Sequence, residues 1–171
     1  MITLTPWFER KFEFNFPVSM FPVITERLRG TTPRLEFMLQ NIPDEKMNHK
    51  TGNHWSIKEH IGHLSDLEEL WYGRIEDFLT GKEFLRDADL SNSKTNDAGH
   101  NSNSMQKLLK EFSRSRNKLI QKAEQMDAAT ASRTALHPRL LQPMRLIDSL
   151  FFVAEHDDHH ITVIRGILNM D

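Results

Sequence analysis

His156 and His160 stand four residues apart in the run Glu155-His156-Asp157-Asp158-His159-His160. On a helix that spacing sets two imidazoles on one face, a turn apart, close enough to share a metal ion. At about 100° per residue, Leu146, Leu150, Val153, Ile161, Ile164, Ile167 and Leu168 form one apolar stripe. His156 and His160 lie along its flank and face inward, Asp157 falls near its middle, and Asp158 and His159 project towards the outer surface. Two inward imidazoles beside an inward carboxylate are costly to bury without partners. A metal ion would satisfy both histidines, and carboxylates commonly orient metal-bound imidazoles from behind. A competent site needs a third ligand. Asp157 takes the position of the glutamate in an H-E-x-x-H metalloprotease helix, where the third ligand usually lies downstream. Only eleven residues follow His160, with Asp171 their one carboxylate, so the third ligand should come from upstream.

The segment that offers it is the best-marked helix of the chain. Ser56 and Glu59 form an S-x-x-E capping box after Trp55, and Ile57, Ile61, Leu64, Glu68, Trp71, Ile75 and Phe78 then recur at helical spacing, Glu68 being the one polar member. His63 lies on the inner flank of that stripe. His60 leans towards the same interior, either as a packed core-edge histidine or as a partner supporting the site. Glu59 is accounted for by the capping box, yet at four residues before His63 it could also accept a hydrogen bond from that ring. No Glu-x-x-His accompanies these residues on the helix, which excludes a di-iron bundle.

Four helical segments must position these groups. The first, about residues 22–41, is interrupted by Gly30-Thr31-Thr32-Pro33, which predicts a kink or two pieces. The capped helix ends at Thr80-Gly81. A polar stretch, residues 82–103, is read as a long loop that either covers the site, with His100 or Asn96 near the substrate, or runs outside the helices as a solvated connection. Ser104 caps a third helix with Met105, Leu108, Leu109, Phe112, Leu119 and Ile120 inward. His137-Pro138 marks a turn, and Pro143 opens the fourth helix. With no convincing strand ladder, the expectation is an all-α single domain over residues 1–171, a four-helix bundle with a long crossover loop and the ligands near one end of the core. Residues 1–18 form an arm in which Phe12, Phe14 and Phe16 alternate with polar residues, an extended pattern suited to lying across the bundle or a partner subunit. His49 and His54 fall in an exposed loop.

The bulk figures narrow the classes. The chain has 171 residues, 38% hydrophobic and 27% charged, with a net charge of -2 when histidines are neutral. That is an ordinary globular composition without the basic footprint of a nucleic-acid binder. No apolar run is long enough to cross a bilayer, and the first ten residues lack the core of a secretory signal, so a cytoplasmic address without membrane partners is expected. There is no cysteine, which removes thiolate ligands, disulfides and a cysteine nucleophile; any thiol must arrive with a substrate or cofactor.

Residues 55–64 (WSIKEHIGHL), together with His137-Pro138 and residues 153–160 (VAEHDDHH), resemble the paired signatures of the DinB/YfiT-like superfamily. The resemblance spans roughly residues 22–168. It implies an up-down-down-up four-helix bundle, often a homodimer, with a divalent ion held by three histidines, which here would be His63, His156 and His160. Zinc, nickel or another late first-row ion suits such a set. The resemblance leaves the reaction open between a metal-dependent hydrolase and a transferase acting with a low-molecular-weight thiol, each on a small-molecule substrate. Two alternatives are a metal-stabilised dimer module without turnover and a plain bundle with buried histidines.

Overall fold

The structure, a computed structural model, describes residues 3–169. Met1, Ile2, Met170 and Asp171 lie outside the described residues, and with them the first two positions of the arm.

The long helices come in the order expected. The first divides into α1 (Phe21–Arg29) and α2 (Thr31–Leu39), meeting at Gly30. A short helix, α3 (Asp44–Asn48), follows. The capped helix appears as α4 (Ile57–Asp66) and α5 (Glu68–Leu79) rather than one uninterrupted element. The irregularity is confined to Leu67, whose N–H still bonds His63 (3.1 Å) and whose carbonyl accepts from Trp71 (3.0 Å), so the axis runs on. The capping box is present: Glu59 N–H donates to Ser56 Oγ and the Ser56 N–H to the Glu59 carboxylate. The polar stretch contains α6 (Ser93–Asp97) and a 3-10 turn at His100–Ser102. Then come α7 (Met105–Glu124), capped by Ser104, the short α8 (Ala128–Ala131) and α9 (Leu146–Leu168).

The expectation of no strand ladder is corrected by an antiparallel hairpin, β1 (Thr134–His137) and β2 (Gln142–Arg145), with Pro143 opposite Leu136. Pro143 therefore lies in a strand, and α9 starts three residues later. Four-residue strands are too short to show alternation, and proline, which cannot donate to a ladder, is tolerated here in a two-stranded ribbon. The loop also reaches the hairpin: Leu136 N–H donates to the Glu83 carbonyl (2.8 Å) and Leu85 N–H to the Leu136 carbonyl (3.0 Å).

Two apolar clusters fix the topology. One combines Ile24 and Leu28 of α1 with Trp71, Ile75 and Phe78 of α5, Leu119 and Ile120 of α7, and Leu146, Ile147 and Leu150 of α9. The other combines Leu35 and Leu39 of α2 with Ile57, Ile61 and Leu64 of α4, Met105, Leu108 and Phe112 of α7, and Ile164 of α9. The first and fourth long elements thus begin at the end where the second and third finish, an up-down-down-up bundle. Between the clusters the same helices place Thr31, His63, Glu68, Arg116, His156, Asp157 and His160, all buried. The histidines therefore occupy a polar layer between two apolar ones, not one end of the core. Across the first cluster lies the arm, with Trp7, Phe12, Phe14 and Phe16 packed on it, and Arg145 donating to the Phe14 (3.2 Å) and Phe16 (3.0 Å) carbonyls. The arm covers this chain's own bundle. Among the described residues no helix is long and apolar enough to cross a membrane.

Candidate metal centre

His63 from α4 and His156 and His160 from α9 converge. One ring nitrogen from each lies within 4.8 Å of the others, and all three residues are buried. Nε2 of His156 and Nε2 of His160 are 3.2 Å apart. Two nitrogens each about 2.1 Å from one ion at a tetrahedral angle would stand about 3.4 Å apart, so the donor set fits a single small ion. Among the described residues the donors of this cluster are imidazoles alone.

Two of the three outer nitrogens are held, while His156 Nδ1 is buried without a hydrogen-bond partner. His63 Nδ1 donates to Thr95 Oγ1 (3.1 Å), and the Thr95 hydroxyl donates to Asp66 Oδ2 (3.0 Å). Asp66 Oδ2 also takes His100 Nε2–H (2.8 Å). This relay selects the tautomer that frees His63 Nε2. His160 Nδ1 pairs with His60 Nδ1 at 2.8 Å, which leaves His160 Nε2 facing the cluster. His60 thus contacts a candidate ligand directly, as the second of its two readings requires. Losing an outer partner of a ligating histidine typically costs 10–100-fold in metal affinity. Thr95→Val is accordingly expected to weaken divalent-metal binding by about that factor, measured by competition with a chromogenic chelator. Unchanged affinity would show that the relay does not orient His63.

Burial, reinforced by neighbouring histidines, pushes the His60 imidazole down to about 4; burial does the same to His63, against the opposing pull of Asp66. Burial and the surrounding histidines hold His156 and His160 well below the usual value. All are neutral, ligand-ready bases at pH 7. The folded values lie below the unfolded one, so the stability they confer is present above about pH 6.5 and is withdrawn as the pH falls towards 4. Denaturant melts of metal-free protein between pH 7 and 5 are expected to lose up to about 1.4 kcal/mol per pH unit for each such histidine. A flat profile would contradict a buried neutral cluster.

Two other expectations are corrected. Asp157 is buried as its place on the stripe required, but its oxygens go to Thr31 Oγ1 (2.7 Å) and to Arg116, not to His60 or His63. Arg116 also donates to Glu68 Oε1 from Nε (2.9 Å) and Nη2 (2.6 Å). Burial opposes the guanidinium charge, but Asp157 and Glu68 outweigh it, and Arg116 stays protonated. Arg116 went unread although it falls four residues after Phe112 on the inner face. Glu59 does not touch His63: its carboxylate turns back to the cap and to Lys50 (2.8 Å), as a residue in the first turn must to complete the box.

The histidines open into a cavity of about 360 Å³, walled by Trp7, Trp55 and Trp71 and shared with Asp87, Leu90 and Asn92 of the polar loop. The loop does lie over the site. His100 and Asn96 do not line the cavity: His100 is tied to Asp66, and Asn96 accepts from Trp55 Nε1 (3.1 Å). His100 packs so closely on α4 that a Cβ at Gly62 would come within 2.2 Å of its ring, which explains a glycine inside that helix. His159, read as outward-facing, is half-buried and lines the cavity, with Nδ1 lacking a hydrogen-bond partner. His137 ends β1 rather than forming a turn and takes a hydrogen bond from Arg74 (3.0 Å). His49 and His54 are exposed, as read.

An up-down-down-up bundle with a buried three-histidine cluster opening into an aromatic cavity defines a narrow class of helical protein. The chain belongs to the DinB superfamily, whose pattern matches residues 27–164. In structure it is similar to YfiT from Bacillus subtilis, described as a probable metal-dependent hydrolase with an unusual four-helix bundle topology. The TM-score is 0.80 over 93% of this chain and 91% of that one, at 16% identity, a likeness of fold. No curated protein matches.

Proposed function

We propose that the chain is a metal-dependent hydrolase that holds one divalent ion, zinc or nickel, on His63, His156 and His160 and acts on a small molecule in the adjoining cavity. The observation that carries this reading is the convergence of three neutral imidazoles on the floor of a cavity that solvent can reach. Bound there, the ion would acidify a water or thiol and polarise an acyl oxygen. The chain's own groups do the rest. Thr95 and Asp66 hold the His63 ring, and His60 holds that of His160. The tryptophans give the approach to the histidines an apolar wall. His159, kept below its usual range by burial and by Arg10, is neutral at pH 7 and lines the cavity beside the ligands. The likeness to YfiT supports hydrolysis.

A second reading, transfer of a low-molecular-weight thiol, is favoured by one observation. Asp157 and Glu59 are fully engaged elsewhere, so neither of these two carboxylates is left to deprotonate water, and a thiol needs less help. Metal analysis of untagged protein, followed by ester and amide hydrolysis assays with and without low-molecular-weight thiols, tests both. Turnover without thiol supports hydrolysis, and turnover only with thiol supports transfer. Stoichiometric metal with no turnover in any assay would leave the metal-stabilised dimer module, and protein that takes up no metal would end the proposal.

A further inference from the structure

The cavity carries a cationic group that the chemistry above does not use. Arg139 lies in the turn between β1 and β2, on the cavity wall. Its guanidinium lies over two rings, 5.4 Å from the centroid of Phe8 and 5.7 Å from that of Phe152. Its Nη2 is buried without a hydrogen-bond partner, and among the described residues no carboxylate pairs with it. The neighbouring cavity arginine, Arg74, is different: its donors are taken by the Arg86 carbonyl (3.1 and 3.2 Å) and by His137 (3.0 Å). A planar guanidinium held against two rings on a cavity wall, with no carboxylate partner, is preorganised for an anion.

We propose that the cavity binds a small molecule with one carboxylate and an apolar, aromatic body, the carboxylate on Arg139 and the body against the tryptophans. A carboxylate is favoured over a phosphate by the charges at the same wall. Asp87 and Asp89 also line the cavity, so a dianion would meet about twice the repulsion from these two carboxylates that a monoanion does, against the same single free guanidinium. The volume of about 360 Å³ sits at the small end of ligand pockets and suits a molecule of that kind. This inference rests on the reading of the cavity as the substrate site, but the Arg139 contact does not require the ion.

All three tryptophans of the chain line the cavity, so intrinsic fluorescence reports on its occupancy. The full-length protein, both metal-free and zinc-loaded, is titrated with 3-phenylpropanoate, its amide, and phenyl phosphate. In the metal-free form, where a carboxylate has no ion to coordinate, the acid is expected to bind at least about tenfold tighter than the amide, the usual worth of a charge-assisted hydrogen bond. It should also bind tighter than phenyl phosphate. Arg139→Gln should erase the preference for the acid. Arg139→Lys, which keeps the charge but loses the fork, should retain a smaller one, and it carries the test if the glutamine variant does not fold. Equal binding of acid and amide, a preference that survives Arg139→Gln, or tighter binding of phenyl phosphate would each overturn the inference. Failure of the protein to take up zinc while the Arg139-dependent preference persists would strike the metal reading alone.

Discussion

His156→Ala is expected to leave the protein folded and without metal. His156 shares the shortest inter-ligand spacing of the cluster, 3.2 Å to His160, and its ring also lies 5.3 Å from that of His63, so its loss removes the donor common to both contacts. The fall in affinity should exceed the 10–100-fold typical of losing an outer hydrogen-bond partner, because a donor bond itself disappears. Elemental analysis after exhaustive dialysis, together with chelator competition, reads the effect, and turnover should vanish with it. His160→Gln serves as an independent variant, since it keeps a polar group near His60. If both variants retained stoichiometric metal, the three-histidine site would have to be abandoned.

Arg116→Met should produce the largest loss of stability. Arg116, Glu68 and Asp157 are all buried, and the guanidinium is what holds the two carboxylates together. Removing one partner of a buried ion cluster leaves uncompensated charge and typically costs about 3–5 kcal/mol. For a domain of this size that is a fall in melting temperature of roughly 6–20 °C. Burial already raises the Glu68 carboxyl to about 7 despite Arg116, so without the guanidinium it should bind a proton in the folded state at neutral pH. Replacing Glu68 and Asp157 with leucine in the same variant should recover much of the loss, because apolar substitutes for a buried ionic triad are often neutral or stabilising. A loss from Arg116→Met alone of under about 1 kcal/mol would show that the cluster contributes little.

The helices and the candidate ligands were legible because each left a periodic trace. Ser56 and Glu59 marked where α4 starts, and the flank of an apolar stripe located His63, His156 and His160. What escaped were contacts between segments distant in sequence. Thr95 meets His63 across 32 residues, and Arg116 meets Asp157 across 41 and Glu68 across 48. No local pattern records such pairings. Asp157 was located correctly and partnered wrongly for the same reason: the stripe says that a carboxylate is inside, not which cation waits there. The hairpin was missed because its strands are shorter than one period test needs, and His159 because rotation about the helix axis resolves inside from outside but not a groove between them.

The arm has one more consequence. The family pattern covers residues 27–164, whereas Trp7, on the cavity beside His156 with ring centroids 4.9 Å apart, and Phe8, stacked on Arg139, both precede it. The histidines therefore fall inside the span that the family pattern matches, while part of the cavity wall is supplied from outside that span. Within the arm, Trp7 and Phe8 wall the cavity, while Phe12, Phe14 and Phe16 pack on the first apolar cluster. A substitution at Trp7 or Phe8 would reshape the cavity wall while leaving all three histidines in place.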